Sequence, residues 1–287
     1  RRYNPNIIHI QNGFEWLFLI YPFIRKYPIV TTLHDPIPHT GENTFLSRRI
    51  IKSSIHNSDG IIVHGQRLKK KICQRFNLES NKVHVAKLLF EKYPIMSDIS
   101  EEENTILFQG RIAKYKGLEN LIAAETLVSK RFENFKIIIA GSGDLSIYSD
   151  RIYNQSKYEI INHWIDEKDL YSIFQRSSVV VLPYNDATQT GIIPIAYNSS
   201  KPVIVTDVGS LSEMVIPGKT GFIIPRKNIA ILAYYIIKLL KDKGLRKEMG
   251  SNGYNYLTKE LSWSNNKNKE QIRSIYKAVI RGKNALR

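Results

Sequence analysis

Two basic residues, Arg111 and Lys116, stand in the segment GRIAKYKG (110–117) just after the apolar run TILFQ. An arginine offers a planar fork of donors and a lysine a compact point charge, and together they suit a diphosphate. Gly110 gives the backbone freedom for a tight turn ahead of them. A second concentration is DATQTG (186–191). Asp186, Thr188 and Thr190 are N-cap types. With Gln189 and Gly191 they read as a loop opening a helix, where free N–H groups and the helix dipole favour an anion. A third is TTLHDPIPHTGE (31–42), where His34, Asp35 and His39 cluster in a proline-rich loop that exposes side chains to a ligand. Their spacing does not match the helical zinc motif HExxH, and we expect no metal. Each cluster also has a plain reading: two solvated charges at a turn, a capped helix start, and a structural His–Asp pair.

Two further segments carry weaker signals. AGSG (140–143) lacks the third glycine of a dinucleotide fingerprint, so Gly141 reads as a tight turn after a strand. PGKTG (217–221) contains Gly-Lys-Thr, but the first glycine of a phosphate loop would fall at Glu213.

The elements that position these groups follow from apolar runs. VVVLP (179–183), PVIVT (202–206) and GFIIP (221–225) are Val- and Ile-rich, end in Pro or Gly and lack polar alternation. That is the look of parallel strands covered on both faces. IIHIQ (7–11), IVTTLH (29–34), GIIVHG (60–65) and KVHVAK (82–87) read as strands, with helices expected over 14–26, 45–57 and 67–77 between them. A second alternation follows: TILFQ (105–109), a helix over 118–131, FKIIIAGSG (135–143), YEIINHW (158–164) with His163 and Trp164 at its end, and helices over 166–177, 228–242 and 245–259. Trp164 is equally consistent with a core position. Alternating strands and helices imply parallel sheets with crossover helices. The acidic stretch SDISEEEN (97–104) breaks the pattern, and we expect an interdomain linker over 93–104. The tail has Ile272, Ile275, Tyr276 and Val279 at helical spacing.

LPY, the TQTG turn, KPVIVTDVG and PGKTGFIIP together resemble the nucleotide-sugar site of retaining glycosyltransferases of family 4. The resemblance implies the α/β GT-B fold: two Rossmann-like parallel-sheet domains facing a cleft. It assigns 1–95 to an acceptor-side domain, 96–265 to a donor domain, and 266–287 to a helix crossing back to the first. The chain starts directly on a strand, so we expect the first domain to be incomplete at its start. The resemblance gives the diphosphate to Arg111, Lys116, Thr188, Gln189, Thr190 and Gly191, and the nucleotide to Gly110, Gly141, His163 and Trp164. His34 and Asp35 would orient the sugar or the acceptor. The expected activity is a retaining, metal-independent transfer from a nucleoside-diphosphate sugar to a glycan or lipid-linked acceptor, with no cofactor. One departure matters. Aligned on KPVIV, the carboxylates of the family's E-x7-E motif fall at Ala187 and Ile195. That leaves two rivals open: a non-catalytic binding partner of the same fold, and a sugar-nucleotide epimerase.

Composition narrows the partners. With 43% hydrophobic and 24% charged residues, the 287-residue chain is ordinary for a globular protein of two domains. One cysteine, Cys73, allows no internal disulfide and suggests a reducing, cytoplasmic setting. Of the net charge of +16, residues 1–95 hold 15 Lys and Arg against 6 Asp and Glu, while residues 266–287 hold 7 against 1. Such a field suits an anionic partner, including the inner face of a membrane to which the protein would attach peripherally. No reading motif for nucleic acid interleaves the basic residues, so none is expected as a partner.

Overall fold

A computed structural model describes residues 4–11, 16–37, 44–152 and 155–285. The chain divides into two units, Arg1–Leu89 with Trp263–Arg287, and Phe90–Ser262.

In the first unit, β1 (Ile8–Gln11), α1 (Leu17–Ile24), β2 (Ile29–Thr32), α2 (Phe45–Asn57), β3 (Gly60–Val63), α3 (Gln66–Phe76) and β4 (Val83–Val85) alternate. The strands pair in parallel in the order β1-β2-β3-β4. Every residue of β2 and β3 is buried, as expected for apolar runs covered on both faces. Thr44 starts α2, its Oγ1 accepting from the Ser47 N–H at 3.1 Å.

The second unit contains β5 (Thr105–Gln109), α4 (Leu118–Ser129), β6 (Lys136–Ala140), β7 (Tyr158–Ile161), α5 (Glu167–Arg176), β8 (Val179–Leu182), α6 (Ile192–Asn198), β9 (Val203–Thr206), β10 (Gly221–Ile224), α7 (Ile229–Lys241) and α8 (Lys243–Tyr256). Its six parallel strands lie in the order β10-β9-β8-β5-β6-β7. The order reverses between β5 and β8, the place where doubly wound sheets open a crevice for ligands. Ile106, Phe108, Ile137 and Ile139 face α4 and α7, while Leu107, Ile138, Val180 and Val205 face Phe174, Ile193 and Tyr197.

Side-chain caps account for small shifts from the expected bounds. Asp242 Oδ1 accepts from Leu245 N at 2.8 Å, so α8 starts at Lys243 rather than 245. β7 stops at Ile161 rather than 164, where the Asn162 side chain turns to accept from Gly143 N at 3.1 Å.

The expected linker over 93–104 is a correction, because this stretch is a strap bound to the second unit. The Tyr93 ring stacks on Tyr171 with centroids 4.2 Å apart, and the Asn198 amide brackets the Tyr93 backbone at 3.2 and 3.1 Å. The Gln175 amide does the same to Met96, at 2.9 Å on each side. The acidic run is not a solvated spacer either: Glu101 meets buried Lys201 at 2.7 Å and Glu102 meets Arg176 at 2.5 Å. The divide therefore lies at Leu89/Phe90, before the expected 95/96, and again at Ser262/Trp263. Past it, α9 (Asn266–Ala285) packs on the first unit's sheet, with Ile275 and Val279 against Val30, Ile62 and Ala86.

Candidate functional site

In the second unit, the loop after β5 and the loop after β8 are tied together across the strand-order reversal. Lys116 Nζ donates to the Tyr184 hydroxyl at 2.9 Å and stands 4.0 Å from that ring's centroid. Tyr184 is fully buried, its hydroxyl also pairs with Thr190, and burial raises its pKa far above 10, so it stays neutral. Thr190 Oγ1 in turn accepts from the Ile192 N–H at 3.2 Å. The two sequence segments that suggested a diphosphate thus share one hydrogen-bonded chain. Arg111 is exposed, and its Nη2 donates to the Tyr115 hydroxyl at 3.0 Å.

Backbone contacts lock this arrangement. The Tyr115 carbonyl accepts from Asn185 N at 2.8 Å and from Asp186 N at 3.2 Å. The Asn120 amide donates to the Pro183 carbonyl at 2.9 Å and to Asn185 Oδ1 at 3.1 Å. Gly117, at φ +68°, lies so close to this loop that a Cβ would sit 2.1 Å from the Pro183 carbonyl oxygen. Gly141, at φ +143°, would put a Cβ 2.2 Å from the Gly110 carbonyl oxygen, which brings the turns after β5 and β6 together.

The helix after TQTG departs from expectation. α6 has seven residues, is capped by Gly191 and has no side-chain cap. Asp186 and Thr188 therefore act upstream of it, and the Thr188 carbonyl accepts from Ser210 N at 2.9 Å. Thr188 and Thr190 are each 4% exposed. Gln189 Oε1, Gln109 Oε1 and Ser210 Oγ are buried with no hydrogen-bond partner. Such acceptors and hydroxyls rarely stay unsatisfied without a ligand or water. Ala187 and Ile195 are buried among the apolar residues of the α6 face.

His163 and Trp164 follow edge strand β7, roughly 10 Å from β5 at the usual strand spacing. His163 Nδ1 pairs with the Trp164 carbonyl at 2.7 Å. Trp164 is 85% exposed, so the core reading of this residue is overturned.

At the carboxyl edge of the first unit's sheet, His34 is half-buried and Asp35 exposed; His39 lies outside the described residues. Burial lowers the His34 pKa from 6.5, with Asp35 pulling it back up. His64, after β3, packs beside it at 5.1 Å between ring centroids. His9, on β1, bonds Tyr276 of α9 through Nδ1 at 2.6 Å and Thr32 through Nε2 at 2.8 Å. Burial, with His34 nearby, lowers its pKa as well. Reading the sequence missed His64 and Tyr115, and caught Tyr184 only as the last residue of LPY. For His64 a signal existed, since IVTTLH and GIIVHG each place a histidine just past an apolar strand. Among the described residues no three His, Cys, Asp or Glu gather as a metal site, and no helix is long and apolar enough to cross a membrane.

The sequence pattern of the glycosyl transferases group 1 family matches residues 90–256, and that of glycosyltransferase family 4 matches residues 1–87. An uncharacterized glycosyltransferase of Methanocaldococcus jannaschii is 27% identical over 74% of this chain and 58% of its own. The capsular polysaccharide biosynthesis glycosyltransferase CapM of Staphylococcus aureus is 26% identical over 82% of this chain and 60% of its own. The chain thus spans about three fifths of the length of these curated relatives. Among solved structures, sucrose-phosphate synthase from Thermosynechococcus elongatus superposes with a TM-score of 0.77 at 18% identity, covering 96% of this chain and 74% of that one. That likeness is one of fold, the GT-B fold.

Proposed function

The chain belongs to the glycosyl transferases group 1 family, and from that membership we propose that it moves a sugar from a nucleoside-diphosphate sugar to a hydroxyl of a glycan or lipid-linked acceptor, with retention and without a metal. The observation that carries this reading is the Lys116–Tyr184–Thr190 chain across the β5/β8 reversal. It holds an ammonium group half-buried beside exposed Arg111, where a diphosphate gains charge as it leaves. The bond from the anomeric carbon to the diphosphate oxygen breaks, and one to the acceptor oxygen forms on the same face. The acceptor proton passes to a phosphate oxygen. Thr188, Gln189, Thr190 and Gly191 line the phosphates. The turns at Gly110 and Gly141 let the nucleotide approach the backbone, and His163 and Trp164 meet its base. His34 and Asp35 orient hydroxyls in the first unit.

A thermal-shift series with UDP, GDP and ADP on the protein tests the donor site, since a ligand of the native state alone must raise the melting temperature. No shift with any of the three, from a folded sample, would remove it. A second reading, a non-catalytic binder, is favoured by one observation: buried Ala187 and Ile195 stand where the family's carboxylates are expected. Nucleotide binding without sugar release would select it.

The acceptor side carries a further part of the proposal, attachment to an anionic membrane surface from the cytoplasmic side. Trp16, which caps α1, and Leu19, Ile20 and Phe23 on it are exposed at helical spacing. Arg25 just after α1, and Arg49 and Lys52 on α2, are also exposed. Sedimentation with phosphatidylglycerol vesicles, but not with phosphatidylcholine vesicles, is expected. No sedimentation with either would remove membrane attachment from the proposal.

A further inference from the structure

His64 and His34 end adjacent strands, and their rings lie 5.1 Å apart with planes 37° from each other. His64 Nδ1 is 3.0 Å from the Ala86 carbonyl oxygen. A carbonyl only accepts, so Nδ1 carries the hydrogen, and in the neutral ring Nε2 presents a lone pair. The ring is neutral because burial lowers its pKa to about 4, with His34 adding to the effect and the Ala86 bond opposing it. That Nε2 is buried and has no hydrogen-bond partner. The other imidazole of the group cannot fill the gap, because both nitrogens of His9 are engaged by Tyr276 and Thr32. His34 is the neighbour with a ring N–H to offer, and two imidazoles joined by N–H···N need centroids roughly 5 Å apart.

We infer that His64 is a positioning residue for His34: its Nε2 takes the ring N–H of His34 and leaves the other His34 nitrogen as an acceptor for a sugar hydroxyl. The last clause rests on the glycosyltransferase reading; the histidine pair itself does not. The His34 proton is disfavoured chiefly by burial, and Asp35 favours the charged form; a charged His34 would in turn lower the pKa of His9 and His64. A neutral His34 with one fixed tautomer is what hydrogen-bonding to an uncharged hydroxyl requires.

The test is long-range 1H–15N correlation of the imidazoles in the protein, labelled at histidine, near pH 7.5. His64 is expected as the Nδ1–H tautomer and His34 as a single tautomer. In His64→Phe, which keeps a ring but no acceptor, His34 is expected to average between its two tautomers. In His64→Gln, whose amide oxygen comes near the lost Nε2, His34 is expected to keep one tautomer. A proton on His64 Nε2, or a His34 tautomer unchanged in His64→Phe, overturns the pairing. Release of free sugar from UDP-glucose, GDP-mannose and ADP-glucose, followed in parallel, separates the two ideas. A wild type inert toward all three counts against the site reading while the spectra still decide the pair. With an active wild type, kcat about tenfold lower in His64→Phe and recovered in His64→Gln supports it.

Discussion

The two sheet edges that hold the candidate site residues are built in opposite ways. In the second unit the loops after β5 and β8 are laced by hydrogen bonds, and a lysine donates to a buried phenol. In the first unit the edge is a pack of imidazoles, His9, His34 and His64, each with its pKa lowered mainly by burial. One edge presents basic side chains; the other holds its imidazoles toward the neutral form. On the proposed glycosyltransferase reading, the charged edge would serve electrostatic stabilisation and the imidazole edge positioning.

The largest expected effect falls on the charged edge. Lys116→Ala removes a preorganised cation, and sugar release or transfer is expected to fall by about 10²–10³-fold. The fold is expected to stay intact, because the Lys116 chain is half-buried and the Asn120, Asn185 and Gly117 contacts remain. Turnover unchanged in Lys116→Ala would erase the distinction between the two edges.

Acid sharpens the comparison from the other side. A buried histidine held neutral stabilises the fold above its unfolded pKa, and that stability drains away as pH falls toward the folded pKa. For His64 the loss runs from pH 6.5 down to about 4 and amounts to about 3 kcal/mol, with His9 and His34 adding the same sign. In the second unit Glu102 is held below 4.5 chiefly by Arg176, so its contribution is lost only under more acidic conditions. Tyr184, raised by burial, destabilises that unit only above pH 10. Between pH 6.5 and 5, amide exchange corrected for its intrinsic rate is expected to quicken in β2 and β3 before β5 and β8. Equal acceleration in both units would contradict the neutral-imidazole account.

A smaller effect tests the lacing itself. Tyr184→Phe keeps the ring under Lys116 but deletes the hydroxyl that joins Lys116 to Thr190. About 1–2 kcal/mol of stability is expected to go, since the Thr190 hydroxyl is left in a buried site. Donor kcat/KM is expected to drop about tenfold, well short of Lys116→Ala. Chemical denaturation and donor titration read the two numbers.

The strands and most helices were legible because each is a self-contained signal: a run of Val and Ile such as VVVL or VIVT needs no partner to be recognised. Lys116 and TQTG were legible for their residue types, but the residue between them was not. Tyr184 enters the sequence reading only as the end of LPY, with no role of its own, and only the parallel pairing of β5 with β8 brings it beneath Lys116. The same holds for His64, whose meaning depends on its strand neighbour. The acidic stretch 97–104 misled because charge density alone looks like solvation; its partners Lys201 and Arg176 lie far along the chain.

Trp164 offers the mildest test and extends the comparison within the charged edge. It stands 85% exposed past the end of edge strand β7, roughly two strand spacings from Lys116. A structural tryptophan that far out of the core contributes little, so Trp164→Ala is expected to change stability by less than about 0.5 kcal/mol. If its ring stacks on the nucleotide base, the same change weakens nucleotide binding by about 1 kcal/mol or more, some fivefold to tenfold in Kd. Because a base is uncharged, that loss is expected to be the same at low and high salt, whereas the Lys116 contribution shrinks as salt rises. Calorimetric titration of the best-binding nucleotide diphosphate at two ionic strengths separates them. An unchanged Kd in Trp164→Ala would confine the nucleotide site to the β5/β8 reversal and leave the exposed tryptophan to another partner.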